Sequence, residues 1–176
     1  MTSLESTPQI IERRPQPYVA VREAVTMFTL SRVADHIPEL FGWLAQRGQT
    51  PSGAPFFRYL TIDMERELEV EAGLPVAAPL DLAAEAGGAV TAETLPGGRF
   101  VRAFFVGHPD GLEKATAELL QWAETQGLRW DVSDSPVGER WGCRLEIYHT
   151  DPLEQPDMNA WRTELAFRLA DGTTQS

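Results

Sequence analysis

The chain has 176 residues and a mass of 19.5 kDa, enough for one domain of about 150 residues with a sizeable core. Lys and Arg number 15 against 26 Asp and Glu, a net charge of −11. A surface that acidic repels phosphate backbones and anionic lipid, so it disfavours direct binding of nucleic acid or membrane. One cysteine, Cys143, excludes an internal disulfide and any cysteine-based metal cluster. No apolar run approaches the ~20 residues of a membrane helix. No basic stretch followed by an apolar core opens the sequence, so a cytoplasmic protein without a signal peptide is expected.

Residues 1–9 read as a disordered N-terminus and 172–176 as a disordered tail around a single domain over 10–171. Strands are expected at Ile10–Arg13 and Tyr18–Glu23, parted by Pro15 and Pro17. Asp35 stands at an N-cap position with Pro38 in the first turn of a helix. Its face is Ile37, Leu40, Phe41 and Leu44, and it stops at Gly48. Strands follow at Phe56–Asp63 and Leu68–Ala72. In the latter Leu68, Val70 and Ala72 alternate with Glu67, Glu69 and Glu71, the mark of a half-buried strand.

Pro75–Gly88 is rich in Ala, Pro and Gly and reads as a connector. Ala89–Leu95 and Arg99–Val106 flank Pro96-Gly97-Gly98, which predicts a hairpin. Asp110 and Glu113 predict a capping box on a second helix with Leu112, Ala115, Leu119, Leu120 and Ala123 inward and a stop at Gly127. Trp141–Tyr148 and Arg162–Leu169 close the chain as strands, with a Pro-rich, acidic loop at Asp151–Asn159.

The helices read as copies. Glu39, Leu40, Trp43 and Gly48 match Glu118, Leu119, Trp122 and Gly127 at one constant offset. Each helix follows one strand and precedes two, so the chain reads as a duplicated strand–helix–strand–strand unit, at about 10–80 and 89–171. The expected fold class is α+β: one antiparallel sheet, two helices on one face, and a cleft near a pseudo-twofold axis.

The usual chemical motifs are missing. His36, His108 and His149 lack metal-ligand spacing, no phosphate-binding glycine motif leads into a helix, and no Gly-x-Ser-x-Gly occurs. No cofactor is expected. Aromatic residues and carboxylates remain, the components of a receptor for lipophilic cations. On the last strand Glu164 alternates with Thr163 and Leu165. Glu146 alternates in the same way with Leu145 and Ile147, beside Arg144 and Tyr148. Alternation alone does not distinguish a solvated face from a polar pocket floor.

In order along the chain, six segments carry a resemblance. They are Gln16–Arg22, Pro38–Leu44 with Gly48, Glu69–Val76, Leu95–Phe100, Glu146–Pro152 and Trp161–Leu165. With these the chain resembles the GyrI-like small-molecule-binding proteins, the effector-binding domain of AraC- and MerR-type transcription regulators. The resemblance implies a ligand between two strand–helix–strand–strand repeats. It places Glu164 at the floor of an aromatic pocket, with Tyr18, Phe104, Trp141, Tyr148 and Glu146 as further ligand-binding candidates. The stretch Phe105–Asp110 departs from the family's His-x-Gly-Pro-Tyr, so a role for that tyrosine does not transfer.

The resemblance implies a stand-alone receptor or sequestering protein for lipophilic compounds, cations among them. It leaves open a hydrolase of cyclopropane-type electrophiles with Glu164 catalytic, and an acidic protein-interaction module of the topoisomerase-modulator kind. A monomer or weak dimer is expected.

Overall fold

A computed structural model describes residues 3–82 and 88–172; parts of the predicted terminal segments and connector lie outside the described residues. The strands are β1 (Gln9–Arg13), β2 (Gln16–Val25), β3 (Phe56–Ile62), β4 (Leu68–Pro75), β5 (Thr91–Leu95), β6 (Gly98–Val106), β7 (Val132–Ser135), β8 (Gly138–Trp141), β9 (Arg144–Tyr148) and β10 (Arg162–Arg168). The helices are α1 (Ser31–Ala34), α2 (His36–Ala45) and α3 (Leu112–Thr125). All pair antiparallel in one sheet, ordered β1-β6-β10-β9-β3-β4-β2-β5, with β7 and β8 branching from β3.

That order carries the predicted duplication. In the first half β2 pairs with β4 and β4 with β3; in the second β6 pairs with β10 and β10 with β9. The halves meet where β3 pairs with β9, and again where β1 pairs with β6 and β2 with β5. Leu40 and Leu119 are both fully buried. Gly48 and Gly127 end their helices at φ 67° and 69°, the left-handed conformation that glycine adopts without a Cβ penalty. The backbone bonds Gln49 N–H to Leu44 O and Leu128 N–H to Ala123 O repeat as well, each 3.0 Å.

The predicted hairpin at Pro96-Gly97-Gly98 is not formed. β5 pairs with β2, and β6 pairs with β1. Arg13 faces Gly98 and Gln16 faces Leu95, so the register carries across Pro15 and Pro96 unbroken. The proline-interrupted strand β1–β2 therefore runs beside the interrupted strand β5–β6, and the ladder returns to β2. The sheet is curled into a closed circuit.

Curling gives the sheet two packed faces. Toward α2 and α3 lie Val19, Val21, Phe57, Val70, Ala72, Val101, Ala103, Leu165 and Phe167, with Leu40, Leu44, Leu112, Ala115 and Leu119 from the helices. Inside the curl lie Tyr18, Ala20, Phe56, Leu95, Phe100, Cys143, Leu145, Ile147 and Ala166. Truncating one such leucine to alanine costs about 2–5 kcal/mol. The inner core is why Glu71, expected on a wet face, is 1% exposed.

Three local expectations are corrected. Asp35 makes no cap bond, because α1 runs directly into α2. Asp110 does not cap α3; a single 3-10 turn at Pro109–Gly111 intervenes, and the His108 side chain accepts from Asp110 N–H. Trp141–Tyr148 is not one strand but the end of β8 and all of β9, broken at Gly142-Cys143. At the N-terminal side, Leu4 is buried and bridges Phe105, and Ser3 N–H reaches the Glu118 carboxylate.

Candidate functional site

On β9 the strand period of two sends Leu145 and Ile147 into the curl and Arg144, Glu146 and Tyr148 toward the helices. Phe57 and Tyr59 on β3 share that helix-facing side, and Phe57 is the register partner of Glu146. Since β3 and β9 join the two halves, these side chains stand at the pseudo-twofold interface.

Glu146 Oε1 accepts two phenolic hydrogen bonds, from Tyr148 at 2.8 Å and from Tyr59 at 3.0 Å. Among the described residues no cation comes within 4.0 Å of this carboxylate, and Oε2 receives no protein donor. Burial pushes the Glu146 carboxyl above its usual range, opposed by the two hydroxyls and the Arg144 charge. Burial, reinforced by the Glu146 charge, holds the Tyr59 and Tyr148 hydroxyls well above their ordinary value, so both remain protonated donors.

Aromatic rings wall the row. The Phe57 ring meets Tyr148 edge-on at 5.1 Å, and Trp130, Trp141 and Phe167 form a mutual triad with centroids 5.8–5.9 Å apart. Over this triad lies the Arg144 guanidinium, 4.7 Å from the Trp141 centroid and 4.6 Å from that of Phe167. Tyr59, Trp141 and Phe167 are buried, whereas Arg144, Glu146 and Tyr148 each keep part of their surface accessible. The polar row thus keeps some access to solvent beside buried aromatic rings.

The inner face carries two other polar groups. Tyr18 donates to Glu71 Oε1 at 2.6 Å and lies 3.0 Å from Glu93, while Arg58 donates to the Tyr18 oxygen at 2.8 Å and to Gly142 O at 2.9 Å. Burial drives the Tyr18 hydroxyl far up and raises the Glu71 carboxyl. Nearer the rim, Glu164 bonds His149 Nε2 at 2.8 Å and sits 3.5 Å from Arg13. The Phe104 ring lies 6.1 Å from that histidine, stacked under Arg162 at 3.8 Å.

Of the six ligand-binding residues expected from the sequence, Glu146 and Tyr148 are in direct contact and Trp141 joins them through Arg144. Glu164, Phe104 and Tyr18 face the other way, in two separate groups. Sequence reasoning did not single out Tyr59, Arg144, Arg58 or Glu71. Tyr59 follows Phe57 at the strand period, a readable signal, but only the β3–β9 pairing brings it to Glu146. Among the described residues no cluster of three or more His, Cys, Asp or Glu could hold a metal ion, and no described helix is long and apolar enough to cross a membrane.

The family model of the GyrI-like small molecule binding domain matches residues 6–170. No curated protein matches the sequence. Among solved structures, the C-terminal domain of EcmrR is 19% identical with a TM-score of 0.72, covering 93% of this chain and 97% of that one. In EcmrR complexed with DNA, the chain spans 57% of the EcmrR chain, at 20% identity, 93% of this chain and TM-score 0.72. SAV2435 bound to tetraphenylphosphonium is 10% identical with a TM-score of 0.58, covering 94% of this chain and 95% of that one. A hydrolase encoded by lin2189 from Listeria innocua is 15% identical with a TM-score of 0.60, covering 96% and 94%. At these identities the likeness is one of fold.

Proposed function

The chain belongs to the GyrI-like small molecule binding domain family, and on that premise we propose that it is a receptor for lipophilic small molecules that takes their cationic end at Glu146. The reading rests on one observation. A carboxylate without a cationic partner is set among aromatic rings at the junction of the halves, held in place by two tyrosine hydroxyls. Desolvation makes such a carboxylate expensive to ionise, and a bound cation offsets that cost. Aromatic faces add cation–π attraction and apolar contact.

Two cavities lie elsewhere in the structure and fit a cationic ligand less well. Inside the curl, between Arg13, Gln16, Phe56 and Leu95, the space is about 140 Å³. Ligand pockets run to roughly 300–1,000 Å³. The wider groove of about 820 Å³ between residues 4–8 and α3 contains one carboxylate, Glu118, which Ser3 N–H already engages. SAV2435, with the same fold, binds tetraphenylphosphonium, a lipophilic cation of the proposed class.

Titration of tryptophan fluorescence with tetraphenylphosphonium and with tetraphenylborate tests the reading, because the two ions share shape and differ in sign. Saturable quenching by the cation, at least about tenfold tighter than by the anion, is expected. Equal responses to both ions would overturn it.

A second reading keeps the same carboxylate as a general base toward water attacking an electrophilic ligand, with the Tyr148 hydroxyl 2.8 Å away as proton donor. Turnover of a cyclopropane-type electrophile, lost in Glu146→Gln while binding persists, is the outcome that favours it.

A further inference from the structure

The aromatic walls beside Glu146 already enclose a cation of the protein's own. The Arg144 guanidinium lies 4.6–5.8 Å from the centroids of Phe167, Trp141 and Tyr59. Among the described residues it makes no ion pair and no hydrogen bond, and its Nε is buried without a partner. An arginine drawn largely out of water is ordinarily paired, because a desolvated cation with unused donors is costly. Arg168 shows the ordinary case, with Asp131, Asp171 and the Gly97 carbonyl on its three nitrogens. Glu146 would be the natural partner of Arg144, yet the two tyrosine hydroxyls engage it and no contact within 4.0 Å forms.

We propose that Arg144 is a specificity-determining residue of the Glu146 site, its free donors taking an acceptor oxygen at one end of a ligand whose cationic end lies on Glu146. This rests on the reading of Glu146 as the cation site and narrows its substrate class. The favoured ligands are two-ended lipophilic zwitterions, with a cation at one end and a carboxylate at the other, which bind more tightly than bare cations. The spacing suits this class. Residues two apart on one strand face stand about 6.5–7 Å apart, the span of a small aromatic scaffold between its polar ends. A guanidinium presents a planar fork of donors that matches a carboxylate bidentately. Its charge, already seated on the rings, also weakens the binding of a cation that brings no carboxylate.

Rhodamine B and its ethyl ester form a matched pair of probes. Both carry the same xanthylium cation, and only the former has a free carboxylate. Fluorescence anisotropy of the wild type is expected to show rhodamine B binding about tenfold more tightly than the ester. In Arg144→Met that preference disappears, rhodamine B weakening while the ester holds or improves. Arg144→Lys, which keeps the charge and loses the fork, retains part of the preference. The Met variant is expected to fold, since it replaces a half-buried charge that has no hydrogen-bond partner with an apolar chain, and thermal unfolding checks this.

An unchanged ratio in a folded Arg144→Met, or a wild type preferring the ester, would overturn the proposal. If both dyes bind, Glu146→Gln weakens both and the ratio ignores Arg144, this inference alone fails. If neither dye binds, or Glu146→Gln changes neither affinity, the Glu146 reading fails and this inference falls with it.

Discussion

Glu146 and Glu164 stand on paired strands, one register step apart, and point to opposite faces of the sheet: Glu146 faces Leu165 across the ladder and Glu164 faces Ile147. Glu164 is joined to His149 and Arg13, whereas Glu146 has only tyrosine hydroxyls. On the proposed reading, the carboxylate without an ion pair, not the more buried one, is the one that a cationic ligand completes.

Cation affinity should fall with acidification. Burial holds the free Glu146 carboxyl above its usual range, and only the ionised form attracts a cation. Below that raised value, binding must expel a proton. Calorimetry of tetraphenylphosphonium binding in buffers of different ionisation enthalpy should report this proton release, and Glu146→Gln should show none.

The same carboxylate should cost stability in the ligand-free protein. A carboxyl whose pKa is raised on folding is favoured when protonated, so its penalty applies above the folded value and vanishes as pH falls to the unfolded value. Glu146→Gln retains an acceptor for both tyrosines without the charge. Urea unfolding should therefore find the variant more stable than wild type at neutral pH, with the gap narrowing toward pH 4.

On the inner face, Tyr18 links two charged groups. Tyr18→Phe removes the hydroxyl that donates to Glu71 and accepts from Arg58, both in a packed interior. Leaving those groups without it should cost about 1–3 kcal/mol in urea unfolding. Ligand affinity should stay within about twofold, because the hydroxyl lies across the sheet from Glu146.

Cys143 is fully buried in the inner core, and burial pushes its thiol up to about 11. A thiol so placed is neither exposed nor ionised near neutral pH. Iodoacetamide at pH 8 should leave the folded protein unmodified and alkylate it once urea unfolds it.

The helices, the repeated strand order and the duplication were legible because they rest on local periodicity: Leu40 and Leu119, Gly48 and Gly127 declare themselves at a constant offset. The ladder that joins the halves was not. Pro96-Gly97-Gly98 carries every local sign of a hairpin, and the pairing of β5 with β2 instead is decided by partners some 75 residues away. That pairing curls the sheet and gives it a second packed face, which reverses the expectation for Glu71. The site was half legible for the same reason. Glu146 and Tyr148 share one strand, so alternation places them together; Tyr59 reaches them only through the β3–β9 register. Glu164 and Glu146 look alike in pattern, and the pattern does not reveal which has an ion-pair partner.

The most direct test compares Glu146→Gln with Glu164→Gln, measuring tetraphenylphosphonium binding by calorimetry at neutral pH. A loss of about 10- to 100-fold in Glu146→Gln, with Glu164→Gln within about twofold of wild type, is the result expected of a carboxylate that pairs with the ligand. The reverse pattern, with Glu164→Gln losing affinity and Glu146→Gln retaining it, would contradict the assignment and move the ligand to the inner face of the sheet.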